Sequence, residues 1–343
     1  SGSVVITIAA LALALLASEA WHYLLLFGLL MGTGSAVAGG IPLQTCTSLW
    51  FVRRRGLAMS IVMTASSLGG FIAAPLLGEM VSSAHDGWRA GWLCVAGLAL
   101  LAGLVALFGV GDSPAKYGQV ADGEQSNIET RARTGPVATD MPWRNTLKQP
   151  ALWLSINAAL AFNIVAFTLL AHLVPHLRGL GHSPQVAALA LGCLSLVGVL
   201  GKLFGGLLSD RFGPRQVWVA ALLMCVPGML LLMDARSAWM VYLAALLVGG
   251  GAAASFVCWA TLVANYFGAG SFASVMGLQM ALLTPWAALA PYLVGLIYDS
   301  QGSYSPAFIA ICIYTILSAA ALLMARPPQC ETVASNEERE RWV

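Results

Sequence analysis

The sequence contains little charge. Asp, Glu, Lys and Arg make up 9% of its 343 residues, against about 25% in an ordinary soluble domain, whereas 59% of the residues are hydrophobic. The net charge is only +2, and no basic block with interleaved aromatic residues offers a surface for nucleic acid. Its seven cysteines include no Cys-x-x-Cys pair and lie mostly inside apolar runs, so they indicate packing rather than a disulfide framework. The composition predicts an integral membrane protein without a nucleic-acid partner.

The sequence also lacks the patterns typical of metal sites and membrane enzymes. His172 and His176 are four residues apart, a spacing that can direct two imidazoles towards zinc, but Pro175 lies between them and no third ligand follows. No helix or loop carries the clustered carboxylates that hold Mg²⁺ on a diphosphate. We therefore predict no metal, no cofactor and no enzymatic activity. The two alternative functions that we keep in view are a membrane enzyme acting on lipid-soluble substrates and a membrane sensor that transports nothing.

Ten long apolar runs follow one another along the chain. The hydrocarbon core of a bilayer is about 30 Å thick, so a helix that rises 1.5 Å per residue needs about 20 apolar residues to cross it. We predict an all-α integral membrane bundle with spans near residues 2–18, 22–50, 57–82, 88–110, 150–175, 184–208, 217–233, 238–266, 272–298 and 304–325.

The longest polar stretch, residues 111–148, predicts a linker. It separates four helices in residues 1–110 from six helices in residues 149–325, and a tail follows at residues 326–343. Lys and Arg favour the cytoplasmic side of short loops, so the linker and tail are predicted to be cytoplasmic, at a bacterial inner membrane. The other side has only Arg89, Arg178 and Arg236, whereas the cytoplasmic side collects Arg53, Arg54, Arg55, Lys116, Arg131, Arg133, Arg144, Lys148, Arg211, Arg215, Arg326, Arg339 and Arg341.

The chain resembles itself at a long interval. Residues 22–82 align with residues 239–298 at a lag of about 216 residues, which brings Pro75 onto Pro291. A lag of this size matches half of a large transporter. It also places Ser1 on Val217, just after a loop that two helices precede. We therefore expect a twelve-helix parent with two pseudo-symmetric halves, of which this N-terminally truncated chain has ten helices.

The strongest local motif is the loop at residues 206–215. Its glycines allow a tight turn and close helix packing, and Asp210 can accept backbone N–H bonds at a helix N-terminus. Its arginines can anchor the turn at anionic headgroups. A simpler interpretation is a positively charged turn with a helix-capping aspartate.

This loop resembles the signature loop of the major facilitator superfamily, which lies between the second and third and between the eighth and ninth helices. Further segments resemble its monocarboxylate porter and oxalate/formate antiporter branch: Trp50–Ala58, Ser66–Gly70 with Pro75, Gly87–Arg89, and Tyr298–Tyr304. The resemblance covers nearly all of residues 1–325.

The resemblance implies a secondary active transporter whose two halves rock about a central site, a mechanism known as alternating access. Asp210 would then hold the start of the helix near Leu57 when the cytoplasmic side is closed. The expected conformational-gate residues are Gly206, Asp210, Arg211, Gly213, Arg215, Arg53, Arg54 and Arg55.

Lys202 is the first candidate for substrate contact. A lysine inside a membrane helix costs about 3 kcal/mol or more unless it is paired or hydrated. It lies eight residues before Asp210, about 12 Å from the helix end, which is beyond the reach of a lysine stem. The resemblance places it where the branch has a carboxylate-binding arginine, although lysine lacks the bidentate fork. A purely structural lysine is the alternative.

Other polar residues inside the apolar runs are further candidates for the same cavity, or for hydrogen bonds between helices. They are His172, Gln279, Asn157, Asn163, Gln44 and Thr284. Glu79, near a helix end, is either a proton-coupling carboxylate or an interfacial one. The expected partners are the lipid bilayer and a small organic solute, with a co-transported proton or an exchanged anion as alternative coupling partners.

Overall fold

The computed structural model describes residues 1–82, 87–109, 111, 114–117 and 146–327. Within these ranges a helix occupies each of the ten predicted positions. The helices are α1 Gly2–Leu16, α2 Ala20–Trp50, α3 Arg55–Ser82, α4 Gly87–Gly109, α5 Pro150–Gly179, α6 Pro184–Phe212, α7 Pro214–Met233, α8 Ala238–Phe267, α9 Phe272–Gln301 and α10 Ser305–Leu323.

Eight of the helices in the described ranges are long and apolar enough to cross a membrane, namely all except α1 and α3. With 15 residues, α1 is about 22 Å long, which is short of a full span. Helix α3 has 28 residues but carries several serine, threonine and glycine residues. The fold is therefore an all-α integral membrane bundle.

Proline and glycine set several helix ends. Pro150, Pro184 and Pro214 occupy the first positions of α5, α6 and α7, where a missing N–H costs no hydrogen bond. Gly213 has a φ of +89°, which allows α6 to end and α7 to begin at the next residue. Two predicted ends were too short: α5 continues past Pro175 to Gly179, and α6 continues through Asp210 to Phe212.

Helix α2 is not the single regular helix that the apolar run suggested. It consists of Ala20–Tyr23, a π-helical stretch Leu24–Met31, and two α-helical parts, Gly32–Ala38 and Gly40–Trp50. The chain is extended at Gly39, where a Cβ would lie 2.3 Å from the Ser35 carbonyl oxygen. Glycine therefore permits a break that another residue would prevent.

The helices pack as two groups. In the group α5 to α10, a core that includes Phe162, Trp218 and Trp259 lies between α5 and α7 to α10. Helix α6 packs closely on α8, which depends on glycine at positions such as Gly201. Helix α1 packs on α4 and α2 in the first group. The groups meet where α3 contacts α6 and α8, and where the last part of α2 contacts α9.

The start of the predicted linker contacts α2. The indole Nε1 of Trp50 donates a hydrogen bond to the Gly111 carbonyl oxygen at 2.9 Å, and its ring packs against Tyr117 at 6.4 Å. A short 3-10 turn covers Pro114–Tyr117. Most of the remaining linker and all but two residues of the predicted tail lie outside the described residues.

Candidate functional site

Asp210 bonds the first turn of α3 from the end of α6. Its Oδ1 accepts a hydrogen bond from the Gly56 N–H at 2.7 Å, and its Oδ2 accepts one from the Leu57 N–H at 2.9 Å. Such N–H groups have no partner within their own helix, and the positive end of the helix dipole favours a carboxylate. Asp210, on α6 of the second group, therefore caps the N-terminus of α3 in the first group.

One turn further into the bundle, the backbones of α3 and α6 touch. A Cβ at Gly206 would lie 2.4 Å from the Gly56 carbonyl oxygen and 2.6 Å from the Ser60 hydroxyl. A Cβ at Gly56 would lie 2.5 Å from the Gly206 carbonyl oxygen. Because both positions exclude a side chain, glycine sets the distance between the helices here.

Lys202 forms the third level of the same contact. Its ammonium donates hydrogen bonds to the Met63 carbonyl oxygen at 3.0 Å and to the Ser67 hydroxyl at 2.6 Å, both on α3. The Phe256 ring centre on α8 is 5.9 Å away, and the lysine is half-buried. We call the three levels at Asp210, Gly206 and Lys202 the α3–α6 contact.

Arg55 joins three elements beside this contact. Its guanidinium donates hydrogen bonds to the Asn265 side chain on α8 at 2.8 Å, to the Ser48 carbonyl oxygen on α2 at 3.2 Å, and to the Phe51 carbonyl oxygen at 3.0 Å. We call the end of the bundle where Arg55 and Asp210 lie the arginine end. At this end, Arg55 and Asp210 each bond across the two groups.

The side chains of the other arginines of the predicted gate form no described hydrogen bond with α3, although the Arg54 backbone carbonyl accepts one from the Ala58 N–H at 3.0 Å. Arg215 donates to the Ala325 carbonyl oxygen at 2.7 Å, beyond the end of α10. The Arg211 guanidinium lies 5.3 Å from the Phe212 ring, and Arg53 and Arg54 are exposed. The structure thus brings Arg55, Gly206 and Asp210 together at α3, whereas Arg215 ties α7 to the end of α10.

Two predicted binding residues form hydrogen bonds between helices of the second group. The fully buried Gln279 amide accepts from the Trp259 indole and donates to the Ser155 hydroxyl at 3.0 Å. The Asn157 amide donates to the Ser318 hydroxyl at 3.0 Å and accepts from the Tyr314 hydroxyl at 2.9 Å. In this conformation both amides stabilise packing around α5.

The remaining candidates are dispersed. His172 donates to the Pro291 carbonyl oxygen of α9 at 2.9 Å. Asn163 and Thr284 bond carbonyl oxygens of their own helices. Gln44 is 4% exposed, and its Oε1 has no hydrogen-bond partner among the described residues. None of these four joins the α3–α6 contact through a described bond.

His172 and His176 bond different carbonyl groups. The His176 Nε2 donates to the Leu232 carbonyl oxygen at 2.7 Å, and the Tyr304 ring lies 5.3 Å from each imidazole. Among the described residues, no group of three or more His, Cys, Asp or Glu side chains could hold a metal ion. Glu79 lies in α3, but its side chain is outside the described set.

Sequence reasoning missed Ser67, Ser60 and Asn265 as partners of the predicted residues. A signal for the first two was present in their spacing, because Gly56, Ser60, Met63 and Ser67 recur at intervals of four, three and four residues, which is one face of a helix. Asn265 carries no comparable signal, since its position beside Arg55 depends on the packing of α8 against α3.

Two packed groups of apolar helices, joined by polar contacts that cross between them, are an arrangement that helical membrane transport proteins share. The sequence profile of the Major Facilitator Superfamily matches residues 1–181 and residues 170–342. The chain belongs to the major facilitator superfamily.

Individual relatives agree with this assignment. Monocarboxylate transporter 13 from Bos taurus is 31% identical over 226 residues, which is 64% of this chain and 46% of the bovine protein. The probable sulfoacetate transporter SauU from Cupriavidus necator is 29% identical over 189 residues, which is 53% of this chain and 43% of that protein. The chain therefore matches just under half the length of each of these two relatives.

Solved structures show the same fold. The Escherichia coli fucose:proton symporter FucP superimposes with a TM-score of 0.66 at 15% identity, over 95% of this chain and 83% of that one.

Proposed function

We propose that the protein carries a small organic anion, most simply a carboxylate, across the membrane by alternating access, as a secondary active transporter. The observation that carries this proposal is a half-buried ammonium, Lys202, placed about 12 Å inside the bundle at the boundary between the two helix groups. A positive charge at such a depth is costly unless a ligand compensates it, and an anion does so best.

The Lys202 ammonium can donate one further hydrogen bond. An ammonium has three N–H groups, and two are used by Met63 and Ser67. The third has no hydrogen-bond partner among the described residues and can bind an anion. The names of the bovine and Cupriavidus relatives, which refer to monocarboxylates and to sulfoacetate, support an anionic solute.

The α3–α6 contact supports the alternating-access part of the proposal. It joins the two groups at the arginine end through the Asp210 cap, the glycine contact and the Lys202 bonds. Separating the groups therefore breaks a defined set of interactions. The excess of Lys and Arg at this end makes it the cytoplasmic one, with the protein in a bacterial inner membrane. A co-transported proton or an exchanged anion would supply the driving force.

The test is uptake by the purified full chain in proteoliposomes. Labelled lactate and sulfoacetate serve as anionic probes, and xylose serves as a neutral one. We expect uptake of at least one anion, lowered roughly tenfold or more in Lys202→Gln, because a charged contact to the solute is lost. Lys202→Arg should retain part of the uptake, since it keeps the charge.

Lys148→Gln is the matched control, because it removes one positive charge from an exposed position outside the bundle core. It should leave uptake unchanged. Uptake of xylose alone, or anion uptake that survives Lys202→Gln, would overturn the proposed substrate class. Binding of a probe without any uptake would favour a non-transporting sensor.

A further inference from the structure

Lys202 is held by neutral groups rather than by a counter-ion. The Met63 carbonyl and the Ser67 hydroxyl both accept from its ammonium, and Lys202 makes no ion pair within the described part of the chain. Its charge is therefore solvated by α3 but not neutralised. We call the Met63 carbonyl and the Ser67 hydroxyl the α3 ligands of Lys202.

An organic anion is a stronger ligand for an ammonium than either α3 ligand. The ammonium is already a charged donor to both α3 ligands, but an anion adds a full opposite charge, and two opposite charges attract strongly where little water screens them. A lysine head is a compact charge on a flexible stem, so its ammonium can turn from one set of acceptors to another. An anion that meets the third N–H has a second oxygen for another, so it competes with the α3 ligands for the N–H groups that they hold.

We propose that the α3 ligands and the transported anion compete for the Lys202 ammonium, so that a bound anion withdraws Lys202 from α3 and loosens the α3–α6 contact. This inference rests on the proposed function, and it assigns Ser67 as a positioning residue that acts through Lys202.

The position of Lys202 explains why its release would affect the arginine end. Lys202, Gly206 and Asp210 lie at successive turns of one face of α6 and all contact α3. Without the Lys202 bonds, this face keeps the Asp210 cap and the glycine contact but loses its innermost described hydrogen bonds to α3. A ligand shifts a conformational equilibrium only through different contacts in the two states, and the Lys202 bonds provide that difference.

The test combines anion binding with a measure of helix separation. The full chain in proteoliposomes carries Ser60→Cys, because Ser60 is completely buried against Gly206 and becomes accessible only when α3 and α6 part. The rate of modification by a membrane-impermeant maleimide is recorded, and the signal of the same protein without Ser60→Cys is subtracted. Lactate and sulfoacetate are the probes, titrated with and without Ser67→Ala.

Ser67→Ala should raise the labelling rate in the absence of anion and lower the half-saturating anion concentration about fivefold, the value of one net hydrogen bond. In the protein with Ser67, added anion should raise the labelling rate. Lys202→Gln should label fast regardless of anion. Ser300→Ala is the matched control, because the exposed Ser300 hydroxyl bonds the Ile297 carbonyl of its own helix, α9, and it should leave the half-saturating concentration unchanged.

Two failures can be told apart. If anion binding depends on Lys202 but Ser67→Ala leaves both the half-saturating concentration and the labelling rate unchanged, competition is overturned and the proposed function stands. If no anion binds to any variant, both proposals fail. A purely structural role for Ser67 would also overturn the inference, since Ser67→Ala would then weaken anion binding instead of strengthening it.

Discussion

Asp210 shows how one side chain joins two helix groups. Its carboxylate accepts two hydrogen bonds from the start of α3, whereas its own backbone belongs to α6. The side chain lies at an exposed end of the bundle, so its charge is partly screened and its effect depends mainly on the two hydrogen bonds. An amide at this position would retain one acceptor oxygen and would place an N–H₂ group opposite a donor.

We expect Asp210→Asn to weaken closure of the arginine end by about 1 kcal/mol, the usual effect of losing a helix cap, which corresponds to about a fivefold higher labelling rate at Ser60→Cys. Asp234→Asn is the control, because Asp234 is exposed and its described side-chain contact is a hydrogen-bonded ion pair with Arg236, also exposed. An unchanged labelling rate in Asp210→Asn would contradict a closing role for the cap.

At the scale of helices, the contact of α3 with α6 depends on glycine more than on any side chain. A Cβ added at Gly206 or at Gly56 would overlap backbone atoms of the opposite helix, and backbone atoms cannot move aside as a side chain can. Gly192 on the same helix differs, because a Cβ there meets no atom within 4 Å.

Gly206→Ala should therefore separate α3 from α6, raise labelling at Ser60→Cys and lower the transport rate. Gly192→Ala is the matched control on α6 and should leave both unchanged, with a gain of up to about 1 kcal/mol in stability from helix propensity. If Gly206→Ala supported normal transport and normal labelling, the close contact would have no role in closure.

The sequence predicted the helices better than their contacts. Hydrophobic length was sufficient for ten positions, because each span must satisfy its own backbone in lipid. It did not predict the break at Gly39, which depends on the approach of the Ser35 carbonyl, or the continuation of α5 past Pro175. A proline disfavours a helix interior locally, but packing on α9 and α10 stabilises α5 on both sides of it.

For the candidate site, the charged residues were easier to predict than the amides. Lys202 and Asp210 stood out because a charge within or beside a membrane span requires a partner. The amides Gln279 and Asn157 carried no such information, since an amide in a helix bundle serves a solute and a neighbouring helix equally well. The structure gives both amides neighbouring helices as partners.

At the scale of the whole molecule, the hydrogen bonds of Gln279 join three helices of the second group, because Gln279 lies on α9, Trp259 on α8 and Ser155 on α5. These bonds lie within one group, and the α3–α6 contact lies between groups. If each group moves as a unit during transport, the Gln279 bonds within the second group must persist while the α3–α6 contact between the groups breaks.

We expect Gln279→Leu to lower the free energy of unfolding by about 1–3 kcal/mol, because in a buried site the Trp259 indole loses its acceptor and the Ser155 hydroxyl loses a donor. Thermal unfolding in detergent measures this loss, and labelling at Ser60→Cys should not change. Gln185→Leu, at an exposed position near the start of α6, controls for the loss of an amide. A normal melting temperature together with lost anion binding would instead assign Gln279 to the solute.

The bonds from Lys202 to α3 also bear on how the protein is made. Ser67 precedes Lys202 by 135 residues in the chain, so at roughly 5–20 residues per second the ribosome adds Ser67 about 7 to 27 seconds before it adds Lys202. A lysine in a nascent membrane helix carries a penalty of about 3 kcal/mol at insertion. Because Met63 and Ser67 are synthesised first, the acceptors for the Lys202 ammonium are already present in the chain when α6 inserts into the bilayer.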